Sequence, residues 1–383
     1  MQTKEFRTRT VFEKTPASGR DDKWIIGLDV GYSAVKGMSA NSLYCFPSYA
    51  KKIPEDRISL KAPEPTDIKY RDKEGKTWVV GNLAYNEATD SDVMDSEEEM
   101  YGKHWIYSEK YKVIASVGLA LGLETNSFGS PTGKDIVIQT GFPPQYLKSM
   151  SSDLKEVISG DYDFEVQFGT SNWKRFTFTI KESNVYVIAQ PLGALISASI
   201  DKRGKTTPEA KDYFNSNLIV FDPGFVTVDD YTVHRGNVIS ENTYQDMGMH
   251  EVFKRTCDDI MDKFSYSVSI TELQSRLEAG TIKITNKKMM KSQMYDFTDD
   301  IRRNCAAVCA EVIEKMKSVH NYFSKTDYII ATGGTYEAWK KQFGDVFAEM
   351  DGLKIVPANI NEPNISNIFS NVRGYYYYRL NRD

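Results

Sequence analysis

Two apolar runs broken by the same polar punctuation organise this chain. Ile25-Ile26-Gly27-Leu28-Asp29-Val30-Gly31-Tyr32-Ser33-Ala34-Val35-Lys36 is echoed by Leu218-Ile219-Val220-Phe221-Asp222-Pro223-Gly224-Phe225-Val226-Thr227-Val228-Asp229. Each run meets Asp-x-Gly-aromatic and then resumes, which predicts a buried strand, a tight turn and a returning strand. The glycine lets the backbone bend close to whatever fills the turn. A device built twice can close two turns on one anionic ligand.

Between the copies, Ser42 to Pro47 reads as a third strand, and Ile68 to Arg71 with Thr77 to Val80 as a hairpin about Glu74-Gly75. Apolar residues recur at helical spacing from Trp105 to Leu121. Asp135 to Thr140 is a buried strand, and Pro143-Pro144 opens a helix. Phe164 to Phe168 and Phe176 to Ile180 alternate as a hairpin; Val185 to Ile188 is a strand that Gln190-Pro191 turns into a helix rich in small residues. After the second copy, Val238 to Ser240 pairs back across Arg235-Gly236-Asn237. Helices follow near Met249 to Phe264, Thr271 to Ala279 and Phe297 to Tyr322. A last buried strand, Tyr328 to Ala331, ends in Thr332-Gly333-Gly334-Thr335 with a helix beyond. Two consecutive mixed sets, each opening on the same hairpin, predict an α/β protein made by internal duplication.

Composition narrows the class. The 383 residues, 40% hydrophobic and 26% charged, suit two soluble domains with ample cores. A net charge of -5 argues against a broad nucleic-acid-binding face. No apolar stretch is long enough to span a bilayer, and residues 1–22, polar with scattered Arg and Lys, carry no secretory h-region and are expected to form a mobile arm. Cys45, Cys257, Cys305 and Cys309 show no disulfide framework, which suits a reducing, cytoplasmic compartment. Cys305 and Cys309, one helical turn apart without a nearby His, are read as core. Asp90 to Glu99 reads as a solvated acidic surface.

The turns carry the candidate chemistry. Gly31, Tyr32 and Ser33 offer backbone N–H groups at a sharp bend, an anion-binding concavity. Alternation along the hairpin places Lys36 on the opposite face from Asp29, with the hairpin twist bringing its ammonium to a phosphate. An ionised Asp29 beside phosphate requires a cation, and Mg²⁺ held through water is the natural one. Asp222 is the matching carboxylate of the second turn, with Gly224 at the bend and Thr227 as a hydroxyl partner. Gln190, at a strand end, is placed to orient a water for attack on a γ-phosphate. Gly333, Gly334 and Thr335 form a bulk-free strand-to-helix turn suited to a flat base or an α-phosphate. Gly248, ahead of the helix bearing His250, Glu251 and Lys254, is a candidate ribose border.

The ordered set Asp29-x-Gly31…Lys36, Gln190-Pro191, Asp222-x-Gly224 and Gly333-Gly334 resembles the phosphate 1, connect 1, phosphate 2 and adenosine motifs of the actin, sugar-kinase and DnaK-type chaperone superfamily. Phe46-Pro47-Ser48, Val80-Gly81-Asn82-Leu83-Ala84, Thr140-Gly141-Phe142-Pro143 and Asn371-Val372-Arg373-Gly374-Tyr375 look like the ParM branch of bacterial and plasmid-borne actins. The resemblance runs from about Trp24 to the C-terminus. It implies an actin-like (ribonuclease H-like) duplicated fold with a central nucleotide cleft, divided as 23–195 plus 358–383 and 196–357. It implies ATP or GTP with Mg²⁺, with Asp29 and Asp222 positioning the ion and its waters, Lys36 holding the phosphate tail and Gln190 orienting the hydrolytic water. It also implies polar filaments that segregate plasmid DNA through a DNA-bound adaptor protein, with no direct contact to nucleic acid or membrane. The same superfamily contains sugar kinases, and a small-molecule kinase is the alternative.

One departure concerns the second turn. Pro223 removes a backbone donor and Phe225 adds bulk where relatives carry small residues, which predicts a looser or differently shaped phosphate cradle. Asp229 fits the family's later Asp. The tyrosine run Tyr375 to Tyr378 is read as half core and half surface of a C-terminal helix.

Overall fold

The computed structural model of this chain describes residues 3–54, 62–87, 104–286, 291–348 and 350–382; the acidic stretch Asp90 to Glu99 lies outside them. Two compact units form. The first comprises Thr8–Ile196, Lys202–Lys205 and Asn371–Asp383, and the second Met1–Arg7, Ser197–Asp201 and Thr206–Ser370.

In the first unit, β1 (Val11–Lys14), β2 (Lys23–Val30), β3 (Ala34–Met38), β4 (Ser42–Pro47), β8 (Asp135–Phe142) and β11 (Val185–Ala189) form one sheet in the order β1-β4-β3-β2-β8-β11. Here β2, β3 and β4 are antiparallel, while β8 and β11 run parallel to β2. Six consecutive residues of β2 are buried, as expected of a central strand covered on both faces. Helix α2 (Glu109–Gly122) covers one face, its Gly118 set against Leu28 and Val35. The other face takes α10 (Ser370–Leu380), whose Val372 and Tyr376 backbones crowd Gly27. Ser108 caps α2 by accepting the Tyr111 N–H at 3.0 Å, so the helix starts where its first donors find a side-chain partner. A second sheet joins β5 (Ala50–Ile53), β6 (Ile68–Asp72), β7 (Thr77–Val80), β9 (Gly160–Phe168) and β10 (Lys174–Ile180) in the order β10-β9-β6-β7-β5. Between β7 and β11 the chain also forms the short α1 (Asn82–Asn86) and α3 (Pro144–Ile158), and after β11 comes α4 (Gln190–Ala198).

The second unit rebuilds the first sheet. Its strands β12 (Asn217–Pro223), β13 (Val228–His234), β14 (Asn237–Tyr244), β17 (Tyr328–Ala331) and β18 (Lys354–Pro357) follow the order β14-β13-β12-β17-β18, again three antiparallel and two parallel. The duplication read from one hairpin thus extends to five strands. Its helices are α5 (Pro208–Asn215), α6 (Met249–Phe264), α7 (Ile270–Arg276), α8 (Thr298–Val319) and α9 (Gly334–Phe347). A continuous apolar core joins β12 and β17 to α6, α8 and α9; in it Phe343 stacks on Phe221 with ring centroids 4.9 Å apart. Cys305 and Cys309 lie in this core, and burial pushes their thiols up to about 11 and about 12. Among the described residues, no helix is long and apolar enough to cross a membrane.

Several expectations change. Residues 1–22 are not an arm throughout: β1 pairs with β4, and Phe6 enters the core of the second unit. Backbone pairing on an open edge holds β1, and a hydrophobic pattern does not register that force. The chain re-enters the first unit at Asn371 rather than at residue 358, because the Asn367 amide donates to the Ala331 carbonyl at 3.1 Å and Ala358 N–H to the same oxygen at 2.9 Å. Tyr375, Tyr376 and Tyr377 are all core, and only Tyr378 is half-exposed. The hairpin of β15 (Thr281–Asn286) and β16 (Lys291–Asp296) was not anticipated; Ile282 and Ile284 anchor it, and the buried Asp300 carboxylate accepts from Lys263 at 2.6 and 2.7 Å and from Tyr295.

The stacked pair in the second core generates a test. Phe343→Ala should destabilise the protein by roughly 3–5 kcal/mol in denaturant unfolding, since the ring leaves a cavity that its neighbours cannot fill. A loss under about 1 kcal/mol would contradict this packing.

Candidate functional site

The two Asp-x-Gly turns close alike. In the first, Gly31 N–H donates to the Ala34 carbonyl at 3.1 Å; in the second, Gly224 N–H donates to the Thr227 carbonyl at 2.8 Å. These glycine N–H groups are therefore spent within the turns, and any cradle for an anion uses the residues between them.

At the first turn, Asp29 stands at the end of β2 and is 3% exposed. Register places it directly opposite Lys36 on β3. Directly opposed residues of an antiparallel pair share a face. Lys36 is therefore on the side of Asp29, not across the sheet from it, and its ammonium lies 3.4 Å from Asp29 Oδ2. The other carboxylate oxygen, Oδ1, accepts from the Gln190 amide at 3.2 Å. Gln190 opens α4 at the end of β11, and two strands carry it to a residue distant in sequence. Three of the residues singled out from sequence are thereby brought together on one buried carboxylate. Ser48, which no chemical argument from sequence selected, supports the turn: its hydroxyl donates to the Gly31 carbonyl at 2.6 Å and its N–H to the Ser33 carbonyl at 3.1 Å. Tyr32 leans on Trp105, ring centroids 5.4 Å apart.

At the second turn, Asp222 ends β12 and faces Asp229 across the ladder. Asp229 accepts from Thr243 at 2.5 Å and from Thr227 at 3.2 Å. Burial, with the Asp222 charge adding to it and the two hydroxyls opposing, pushes its carboxyl up to about 7. The turn is not loose. Phe225 carbonyl accepts the His250 N–H at 2.7 Å, Gly224 carbonyl accepts Met249 N–H at 3.4 Å, and Gly248 N–H reaches Val226 carbonyl at 3.3 Å. The first donors of α6 are thus satisfied by the turn itself. The Phe225 ring packs on His250 and Phe253, centroids 5.7 and 5.8 Å away, so its bulk lies against α6. The missing side chain at Gly248 has a local reason, since a Cβ there would lie 2.3 Å from the Phe225 carbonyl oxygen.

The glycine turn after β17 joins this group. Gly333 has φ 89°, a region that L side chains rarely adopt, and a Cβ on it would meet Asp222 Oδ1 at 3.2 Å. Thr335 donates to the Gly224 carbonyl at 2.9 Å, tying the first turn of α9 to the Asp-x-Gly turn. Gly334 begins α9. Glu251 binds Arg255 at 2.8 Å, which in turn forks onto Glu311 at 2.7 and 2.9 Å, an ion-pair network along α6 and α8.

The donor chemistry fits a hydrated cation. In the first unit Asp29 lies at a strand end, and in the second Asp222 does, facing Asp229 across its ladder. Among the described residues, no group of three or more His, Cys, Asp or Glu side chains is placed to hold a metal directly.

Residues 27–193 match the family described as actin like proteins N terminal domain. Among proteins of curated function, none matches this chain. Solved structures similar to it include a pCBH ParM non-polymerisable quadruple mutant, at 20% identity and TM-score 0.70, covering 94% of this chain and 100% of that one. A 15-stranded ParM filament from Clostridium botulinum is similar at 18% identity and TM-score 0.68, covering 94% and 99%. An archaeal actin homologue in complex with ADP is similar at 15% identity and TM-score 0.60, covering 94% and 100%. The fold is actin-like.

Asp229 sets a pH dependence. Its carboxyl binds a proton more tightly in the folded chain than in the unfolded one, so stability is fully present below 3.8 and is lost as pH rises through about 7. Asp229→Asn should therefore be more stable than the parent at pH 8, with the advantage fading toward pH 4, in denaturant titrations across that range. A pH-independent difference would contradict the assignment.

Proposed function

We propose that this chain is a Mg²⁺-dependent nucleoside triphosphatase, using ATP or GTP, whose nucleotide state governs assembly into polar filaments. The observation that carries the reading is the Asp29 cluster. A buried carboxylate at a strand end holds an ammonium on one oxygen and a glutamine amide on the other, beside a tight turn. Lys36 supplies the positive charge that a phosphate tail requires. Asp29 accepts only, so Gln190 turns Nε2 toward it and leaves Oε1 as an acceptor for a water, the orienting role that hydrolysis requires of an amide. Mg²⁺, held through water by Asp29 and Asp222, would neutralise phosphate charge. Gly31 to Ser33 and Gly224 to Thr227 line the phosphates, Gly333 to Thr335 the base side, and Gly248 with Glu251 the ribose side.

Filament assembly is supported by the actin-like fold and by the filament form of a similar protein. A head-to-tail contact that does not close into a ring yields such polymers. Plasmid segregation in the cytoplasm, through a protein adaptor bound to DNA, is the cellular role that this reading extends to.

Light scattering and pelleting with ATP, GTP or no nucleotide test assembly directly; absence of nucleotide-dependent polymer at tens of micromolar protein would sink it. Gln190→Ala should slow phosphate release by roughly 100-fold while nucleotide-induced assembly persists. Normal release from that variant would remove Gln190 from the mechanism. Asp222→Ala should impair hydrolysis and raise the Mg²⁺ concentration that turnover requires, and unchanged phosphate release would show that the second turn is not part of the site.

A further inference from the structure

The C-terminal helix and the start of α4 meet more closely than side chains allow. A Cβ on Gly374 would lie 1.9 Å from the Gly193 carbonyl oxygen, and one on Gly193 would lie 2.8 Å from the Asn371 carbonyl oxygen. Helices α10 and α4 therefore touch backbone to backbone. Into this contact goes Tyr375, fully buried. Its ring covers Gly193, with Cε1 2.5 Å from the position a Cβ would take. Its hydroxyl sits at Gly141, near the end of β8, 1.8 Å from where a Cβ would be; Gln190 Cγ lies 3.0 Å from that same point. Hydroxyl and glutamine stem are thus near neighbours, both resting on a strand end that has no side chain of its own. Close-packed interiors leave a ring of this size no slack, so its volume dictates where the stem of Gln190 stands.

We propose that Tyr375 is a positioning residue for Gln190: from the C-terminal helix it wedges between Gly141 and Gly193 and keeps the glutamine amide on Asp29. This rests on Gln190 orienting the hydrolytic water. Tyr375 is fully buried and acts only through its neighbour. Small misplacements of an orienting group are costly in rate even when binding is untouched.

Steady-state phosphate release by the full chain tests this, comparing the parent with Tyr375→Phe, Tyr376→Phe, Gln190→Ala and the double variant of Tyr375→Phe with Gln190→Ala. Tyr376 is on the same helix and as deeply buried, but its hydroxyl donates to the Ser18 carbonyl at 2.5 Å. Tyr375→Phe should lose roughly tenfold in kcat with KM for nucleotide unchanged, because orientation and not binding is impaired. Tyr376→Phe should keep the parent kcat, and Tyr375→Phe should have no further effect once Gln190 is alanine. Tyr375→Leu removes the ring and should lose more; if it does not fold, the phenylalanine variant decides. A parent that releases no phosphate overturns the nucleotidase reading itself. An active parent with unchanged kcat in Tyr375→Phe, or additive losses in the double variant, overturns the positioning role alone.

Discussion

A carboxylate buried at the end of a central strand is the constraint around which the first unit is arranged. Removed from water, Asp29 is tolerable only if its oxygens are answered by donors. Lys36 answers one by standing directly across the hairpin, and Gln190 answers the other from the helix that follows β11. The register of β2 on β3, the parallel run of β8 and β11 beside them, and the point at which α4 begins are all needed for those two contacts. A slip of one residue in the hairpin would turn Lys36 to the other face and leave the carboxylate half-satisfied.

The second unit meets the same constraint differently. Asp222 faces another acid where Asp29 faces Lys36, and that acid, Asp229, is answered by the hydroxyls of Thr227 and Thr243. Hydroxyl donors offset burial less than a charge does, so Asp229 holds its proton more readily than an ordinary carboxyl. Duplication has kept the backbone device and changed the chemistry mounted on it. In one copy the strand-end acid faces a lysine, and in the other it faces a second acid.

Much of this was legible in the chain. Both hairpins, the strand that ends at Gln190 and the glycine turn after β17 carry strong patterns, because each buries a continuous apolar run beside an obligatory turn residue. The side of the sheet on which Lys36 falls was misread, since counting along a hairpin ignores the turn residues that set the register. Phe225 was read as bulk in the phosphate turn; its packing on α6 depends on a helix whose position no local pattern gives. Ser48 supports the first turn by donating its hydroxyl and its N–H to backbone carbonyls, contacts that leave no trace in composition. The tyrosine run is core because α10 lies in a glycine-lined groove, a matter of shape and not of hydropathy.

The strand at the N-terminus has a consequence for handling the protein. β1 is weakly patterned and half-exposed, yet it covers the outer edge of β4, whose six residues are all buried. A version trimmed to Lys23, the start of the recognisable repeat, would bare the edge of β4 with its unpaired amides and carbonyls, the kind of edge on which chains pair out of solution. The unremarkable segment ahead of the repeat thus serves as a solubility guard, and domain boundaries drawn from the motif alone would discard it.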